Sequence, residues 1–166
     1  MGFDIAIITK KKILNKEGEL SDVHYLLDRG FCTMILNAKN HHEPVLTELE
    51  KALKLDLSFL LKPEYNNPRK FSDSDLRDMG LDEEYIKSHK TKTPSGFVKI
   101  NGFLDNLNQL LIAIENNPTY ESEMTYDRNW WHTYFDKDLQ VDLKTIKDFL
   151  TELLAKEETE FSFDFG

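Results

Sequence analysis

The sequence has few of the residues from which recognisable catalytic and metal centres are built. Its 166 residues include one cysteine, seven glycines and five histidines. A single thiol, Cys32, excludes an internal disulfide framework and any metal site that needs several thiolates. The spacing of the remaining residues matches no glycine-rich phosphate loop, nucleophile elbow or His-Glu-x-x-His zinc motif. We therefore expect no metal and no cofactor, and we favour a binding protein over an enzyme, which would need an unusual set of residues.

Long apolar runs are also missing from the sequence. No stretch approaches the roughly 20 apolar residues of a membrane-spanning helix, and the first residues lack the charged start and apolar core of a signal peptide. We expect a cytoplasmic protein with no membrane partner. At about 150 residues per domain, the length predicts a single domain over residues 1–166.

Basic side chains are outnumbered by acidic ones. The chain has 30 Asp and Glu residues against 21 Lys and Arg residues, which gives a formal charge of −9. Because a basic, arginine-containing face is the usual mark of nucleic-acid binding, we expect no direct contact with nucleic acid. Acidic residues gather towards the C-terminus, from Glu152 to Asp164. They either keep the surface hydrated or steer a basic partner towards it, and the sequence leaves both interpretations open.

Apolar residues alternate with other residues near both ends of the sequence. The patterns cover residues 3–8 and 161–165, and a period of two residues is typical of a strand with one buried face. Since an isolated pair of strands is marginally stable, we expect the two segments to pair with each other, or with a third strand, and to pack on helices. The predicted fold class is α+β, a mostly helical single domain with a small antiparallel sheet formed by the N- and C-terminal strands.

Apolar residues at helical spacing occupy most of the chain between these strands. Residues 31–36 fit either a strand or a helix, because Gly30 interrupts the helical pattern, and we prefer a helix from Ser21 to Ala38 that is broken at this glycine. A second apolar stripe runs from Pro44 to Leu61. Capping residues mark the predicted helix starts. These starts are Ser21, Pro44, Ser72, Asp82, Asn101 and Asp142.

The densest run of aromatic and polar residues covers positions 120–135. Tryptophan, tyrosine and arginine are enriched where proteins bind each other, and flat rings beside arginine and histidine also suit a nucleotide-like ligand. A third interpretation is that the rings fill the core. The candidate binding residues are Tyr126, Arg128, Trp130, Trp131, His132 and Tyr134.

Two other candidate centres lack the spacing that their chemistry requires. His41 and His42 are adjacent, whereas zinc-binding histidines are usually one helical turn apart or in fixed loops. The nearest preceding histidine to Cys32 is His24, about 12 Å away along a helix, which is too far for a hydrogen bond. We therefore predict solvated histidines and a small buried cysteine rather than a metal site or a nucleophile.

These patterns together predict a small, acidic, non-catalytic binding or inhibitor protein of bacterial or phage type. It would occlude a macromolecular partner, as immunity proteins, antitoxins and phage anti-defence proteins do, and the partner would be a protein with a basic surface. The alternative is a protein that binds or sequesters a nucleotide-like small ligand. A homodimer formed through an exposed strand edge stays open. The first prediction requires that Trp130, Trp131 and Tyr134 lie on the surface.

Overall fold

The computed structural model describes residues 4–9, 25–65, 72–88 and 95–165 of the chain. Helices predominate among them, and no helix in these ranges combines the length and apolar character needed to cross a bilayer. The strands are β1 (Ile5–Thr9), β2 (Tyr25–Leu26), β3 (Val98–Lys99) and β4 (Glu160–Phe165). The α-helices are α1 (Arg29–Asn40), α2 (Val45–Leu53), α3 (Asp73–Asp78), α4 (Glu83–Ser88), α5 (Ile100–Asn116), α6 (Trp130–Thr133) and α7 (Leu139–Ala155). Shorter helical turns cover Ser58–Leu61 and Tyr120–Glu123 (3-10) and Tyr134–Asp138 (π).

The described strands form one antiparallel sheet in the order β2–β1–β4–β3. The central pair is β1 and β4, which run side by side from Ile5 opposite Phe165 to Thr9 opposite Phe161. The edge strands β2 and β3 contribute two residues each. The predicted α+β fold is confirmed, with the sheet joining the two strand patterns near the ends of the sequence.

One face of the sheet carries the aromatic part of the core. Phe161 and Phe163 are fully buried and pack at right angles to Phe103 of α5, with ring centroids 4.9 and 6.2 Å apart. Phe163 also meets Phe31 of α1 at 6.3 Å. The apolar side chains of α2 and α7 complete this cluster. The sheet therefore has its helices on the side that the alternating phenylalanines face.

The other face of the central strands is covered as well, which the sequence pattern did not predict. All five residues of β1 are buried, although strict alternation indicates one exposed face. Ser162, which points away from the phenylalanine side of β4, is buried and donates a hydrogen bond to the Gly96 carbonyl at 2.7 Å. The Tyr65 amide donates to the Phe163 carbonyl at 2.8 Å. The segments that contain Tyr65 and Gly96 thus contact β4.

Helix α1 begins later than predicted. Its N-terminal cap is Asp28, whose carboxylate accepts a hydrogen bond from the Gly30 amide at 2.8 Å. Tyr25 and Leu26 belong to β2 and not to this helix, and the predicted start at Ser21 lies outside the described residues. Residues 31–36 are helical, as preferred. Gly30 is in the first turn and does not break the helix.

The stripe from Pro44 to Leu61 is not one helix. The chain turns at Lys54, which adopts a left-handed conformation with φ 53°, and a 3-10 turn follows at Ser58–Leu61. The Glu50 carboxylate accepts a hydrogen bond from the Leu57 amide at 2.9 Å, which stabilises the turn between the two parts. The stripe is still buried on one side because both parts face the core.

Two local start signals are confirmed. Ser72 and Asp75 form a reciprocal capping box at α3, and the Asp82 carboxylate accepts a hydrogen bond from the Tyr85 amide at the start of α4. Helix α5 starts at Ile100, one residue before the predicted Asn101. The predicted start at Asp142 is wrong, because α6, the π turn and α7 run without interruption from Trp130 to Ala155.

Candidate functional site

The structure separates the six predicted site residues into an exposed and a buried group. Trp130 is 38% exposed and Arg128 and His132 lie on the surface, whereas Tyr126 is half-buried. Trp131 and Tyr134 are 0% and 3% exposed, so the expectation that they lie on the surface is wrong. The reason is helical geometry: residues 131, 134 and 135 share the core-facing side of one helix, and residue 130 lies beside that side.

A carboxylate that sequence analysis did not select, Glu43, holds part of this region together. The Arg128 guanidinium binds it with two hydrogen bonds of 2.6 and 2.7 Å. The indole N–H of Trp131 and the amide of Asn37 each donate to the same carboxylate at 3.1 Å. The hydrogen bond from Arg128, together with that from Trp131, lowers the pKa of Glu43. No local pattern marks Glu43, because Arg128 is 85 positions away along the chain.

Trp130 is held by the two side chains that share Glu43. Its ring stacks on Trp131 with centroids 3.8 Å apart and an angle of 26° between the planes. The Arg128 guanidinium carbon lies 5.6 Å from the centroid of the Trp130 ring, a distance typical of a cation–π contact. We call Glu43, Arg128 and Trp130 the Trp130 anchor. Its indole is exposed and yet fixed on a buried ring.

A second group of side chains fixes the segment before α6. The Glu121 carboxylate accepts a hydrogen bond from the Tyr126 hydroxyl and contacts Nδ1 of His132. The Tyr126 hydroxyl also lies 2.8 Å from that nitrogen. The hydrogen bond from Tyr126 lowers the pKa of Glu121, and burial together with Glu121 raises the pKa of Tyr126. Tyr126 and His132 are therefore both engaged with one carboxylate, and the His132 side chain is still 63% exposed.

A third group lies beneath the surface, between α1 and α7. The Tyr134 hydroxyl donates a hydrogen bond to Oδ2 of Asp142 at 2.9 Å. Burial raises the pKa of Asp142 to about 6, against the opposing effect of the Tyr134 hydrogen bond. The sequence predicted Asp142 to be a helix cap, but its side chain faces Tyr134 eight residues earlier. It is a half-buried ionisable group.

The first residue of the acidic C-terminal stretch, Glu152, lies far along the helix from the Trp130 anchor. Trp130 and Glu152 lie near opposite ends of the continuous helical segment, so about 33 Å of helix separates them. That separation exceeds the screening length of about 8 Å at physiological salt. Asp127, the neighbour of Arg128 in sequence, is exposed and much closer. Glu152 therefore contributes to the overall field of the protein but does not flank the anchor.

Cys32 and the described histidines do not come together as a metal site. Cys32 is buried, as predicted, and burial raises the pKa of its thiol to about 11. His41 ends α1 with a left-handed backbone, and its amide N–H donates to the Asn37 carbonyl. Among the described residues, no three His, Cys, Asp or Glu side chains come together as a metal site. His24 and His89 lie outside the described residues.

No family model, curated protein or solved structure matches the chain. The function is therefore inferred from the geometry of the site. At the Trp130 anchor, the Glu43 carboxylate accepts the hydrogen bonds of Arg128 and Trp131. The exposed part of the anchor is therefore the stacked Trp130 indole beside a guanidinium whose charge Glu43 neutralises. Such a surface is suited to recognition of another macromolecule.

Proposed function

We propose that the protein is a small acidic binding protein that occludes a protein partner with a basic surface, and that the Trp130 anchor is the centre of the contact. One observation carries the proposal. The exposed Trp130 indole is fixed by stacking on buried Trp131 and by Arg128, and both of these side chains bind Glu43.

Rigidity supports a binding role for this indole. Binding energy at protein interfaces is concentrated in a few tryptophan, tyrosine and arginine residues near the centre of the contact. Ordering a mobile side chain opposes binding by about 0.5–1.5 kcal/mol, and a side chain that is already fixed avoids that cost. Trp130 is such a residue, because its ring is stacked before any partner arrives.

Charge supports a basic partner. The protein has a formal charge of −9, and the positive charge of Arg128 is neutralised by Glu43. A basic protein would be attracted at long range and would bind faster at low salt. Occlusion of such a partner is the mode of action of immunity proteins, antitoxins and phage anti-defence proteins, the class that the sequence predicted.

A nucleotide-like ligand is the alternative prediction, and no observation in the described residues favours it. It would need a free aromatic face and cations that are open to phosphate. One face of Trp130 is already covered by Trp131, Arg128 binds Glu43, and His132 contacts Glu121. We keep this ligand class as an outcome of the test.

The test compares two exposed apolar residues on the intact chain. Wild type, Trp130→Ala and Ile112→Ala are immobilised and exposed to a native lysate at low and moderate salt. Ile112, on α5, is 55% exposed and serves as the matched control. We expect a basic protein at a one-to-one ratio on wild type and Ile112→Ala, and at least about tenfold weaker binding to Trp130→Ala, as for a hot-spot residue.

Three outcomes would contradict the proposal. One is a partner retained equally by Trp130→Ala, and another is no stoichiometric macromolecule at either salt concentration. The third is a nucleotide as the bound species, identified by mass spectrometry. Circular dichroism confirms that the variants are folded, and Trp130→Phe, which keeps an aromatic ring, should retain part of the affinity.

A further inference from the structure

Asp28, Tyr134 and Asp142 bring three parts of the fold into contact. Asp28 caps α1, Tyr134 opens the π turn, and Asp142 lies in α7. Tyr134 donates its hydroxyl hydrogen to Asp142 at 2.9 Å. A Cβ atom placed on Gly30, in the first turn of α1, would lie 2.3 Å from the Tyr134 ring. The first turn of α1 therefore rests directly on the side chain that binds Asp142.

Negative charge is concentrated around Asp142. The charged groups that act on it among the described residues are Asp28 and Asp138, and both are carboxylates. Burial raises the pKa of Tyr25 and of Cys32, and the charges of Asp28 and Asp142 raise both further. An ionised Asp142 places a further negative charge in a half-buried site. None of the residues named here supplies a cation that would balance this charge.

We propose that the Asp28–Tyr134–Asp142 cluster is a pH-sensitive contact between α1 and α7. A proton on Asp142 relieves its repulsion with the Asp28 carboxylate that caps α1, and loss of that proton restores the repulsion between the two helices. This contact lies within the fold and does not depend on the proposed binding function.

The sign of the pH effect follows from the carboxyl group. Burial, then Asp28 and Asp138, raise the pKa of Asp142 from 3.8 to about 6, although the Tyr134 hydrogen bond opposes them. A carboxyl whose pKa is higher in the folded than in the unfolded chain stabilises the fold fully at pH values below 3.8. That contribution is lost as the pH rises through about 6.

The experiment measures the unfolding temperature of the full chain between pH 4.5 and 8. Asp142→Asn removes the titration but keeps an oxygen that accepts the Tyr134 hydrogen bond. We expect the wild-type value to fall by about 3 °C relative to Asp142→Asn between pH 5 and 7.5. Asp148→Asn, an exposed site on the same helix, should follow the wild-type curve. Parallel curves for wild type and Asp142→Asn would overturn the proposal.

Two further variants should move the midpoint of Asp142 in opposite directions, measured by carbon NMR of its carboxyl group. Asp28→Asn keeps the helix cap but removes a negative charge, so the midpoint should fall. Tyr134→Phe removes the hydrogen bond that favours the ionised form, so the midpoint should rise. A wild-type midpoint near 4, or the same midpoint in all three proteins, would refute the contact.

Discussion

Two glycines within helices, Gly30 and Gly102, predict opposite responses to the same substitution. A Cβ at Gly30 would overlap the buried Tyr134 ring, whereas a Cβ at Gly102 has no neighbouring atom within 4 Å. We expect Gly30→Ala to lower the free energy of unfolding by about 1–3 kcal/mol. Gly102→Ala should raise it by about 0.5–1 kcal/mol, because alanine is the better helix former. Urea unfolding measures both, and a stabilising Gly30→Ala would show that Tyr134 does not lie against α1.

At this scale the sequence predicted the burial of Cys32 correctly but misplaced part of the aromatic run. It selected the aromatic run and the small buried Cys32, and both assignments rest on residue type. It left open whether Trp131 and Tyr134 are buried or exposed, because a run of aromatics has no clear polar face to set its orientation. Glu43 was missed since its partner, Arg128, is brought near only by the tertiary fold.

At the scale of elements, α2 and its entry hold part of the segment from Met124 to Asn129. Glu43 binds Arg128, and the Glu48 carboxylate accepts a hydrogen bond from the Thr125 amide at 3.3 Å. We expect Arg128→Ala to speed amide hydrogen exchange in this segment about tenfold, since a loss of about 1.4 kcal/mol in local stability has that effect. Arg77→Ala, which removes an exposed ion pair with Glu83, should leave exchange in this segment unchanged. Equal exchange in Arg128→Ala and wild type would contradict the prediction.

Element boundaries were predictable where the signal is local. Ser72 and Asp82 cap the helices that follow them because each side chain reaches an amide within three residues. Asp142 is an aspartate like Asp82, but its side chain binds the Tyr134 hydroxyl instead of a backbone amide. The local sequence does not distinguish these two arrangements. The end of α2 at Lys54 was missed for a related reason, since the apolar stripe continues through the turn.

For the molecule as a whole, the decisive element is β4 in the centre of the sheet. Deleting residues 160–166 leaves β1 paired with the short β2 alone, separates β3 from the sheet, and removes the buried Phe161 and Phe163. Two buried phenylalanines account for about 3–5 kcal/mol each, which is comparable to a whole domain's stability of about 5–15 kcal/mol. We expect the shortened chain to lose cooperative thermal unfolding, measured by calorimetry. Removal of Gly166 alone is the control, and a shortened chain that still unfolds cooperatively would refute the central role of β4.

The same strand order has a consequence for biosynthesis. β1 leaves the ribosome early, whereas β4, its long partner, is made after all the described helices. At roughly 5–20 residues per second, the intervening chain takes about ten to thirty seconds to appear. Between the synthesis of residue 103 and that of β4, the ring of Phe103 and its apolar neighbours have no β4 strand to cover them, and such surfaces are the ones that a nascent-chain chaperone would recognise.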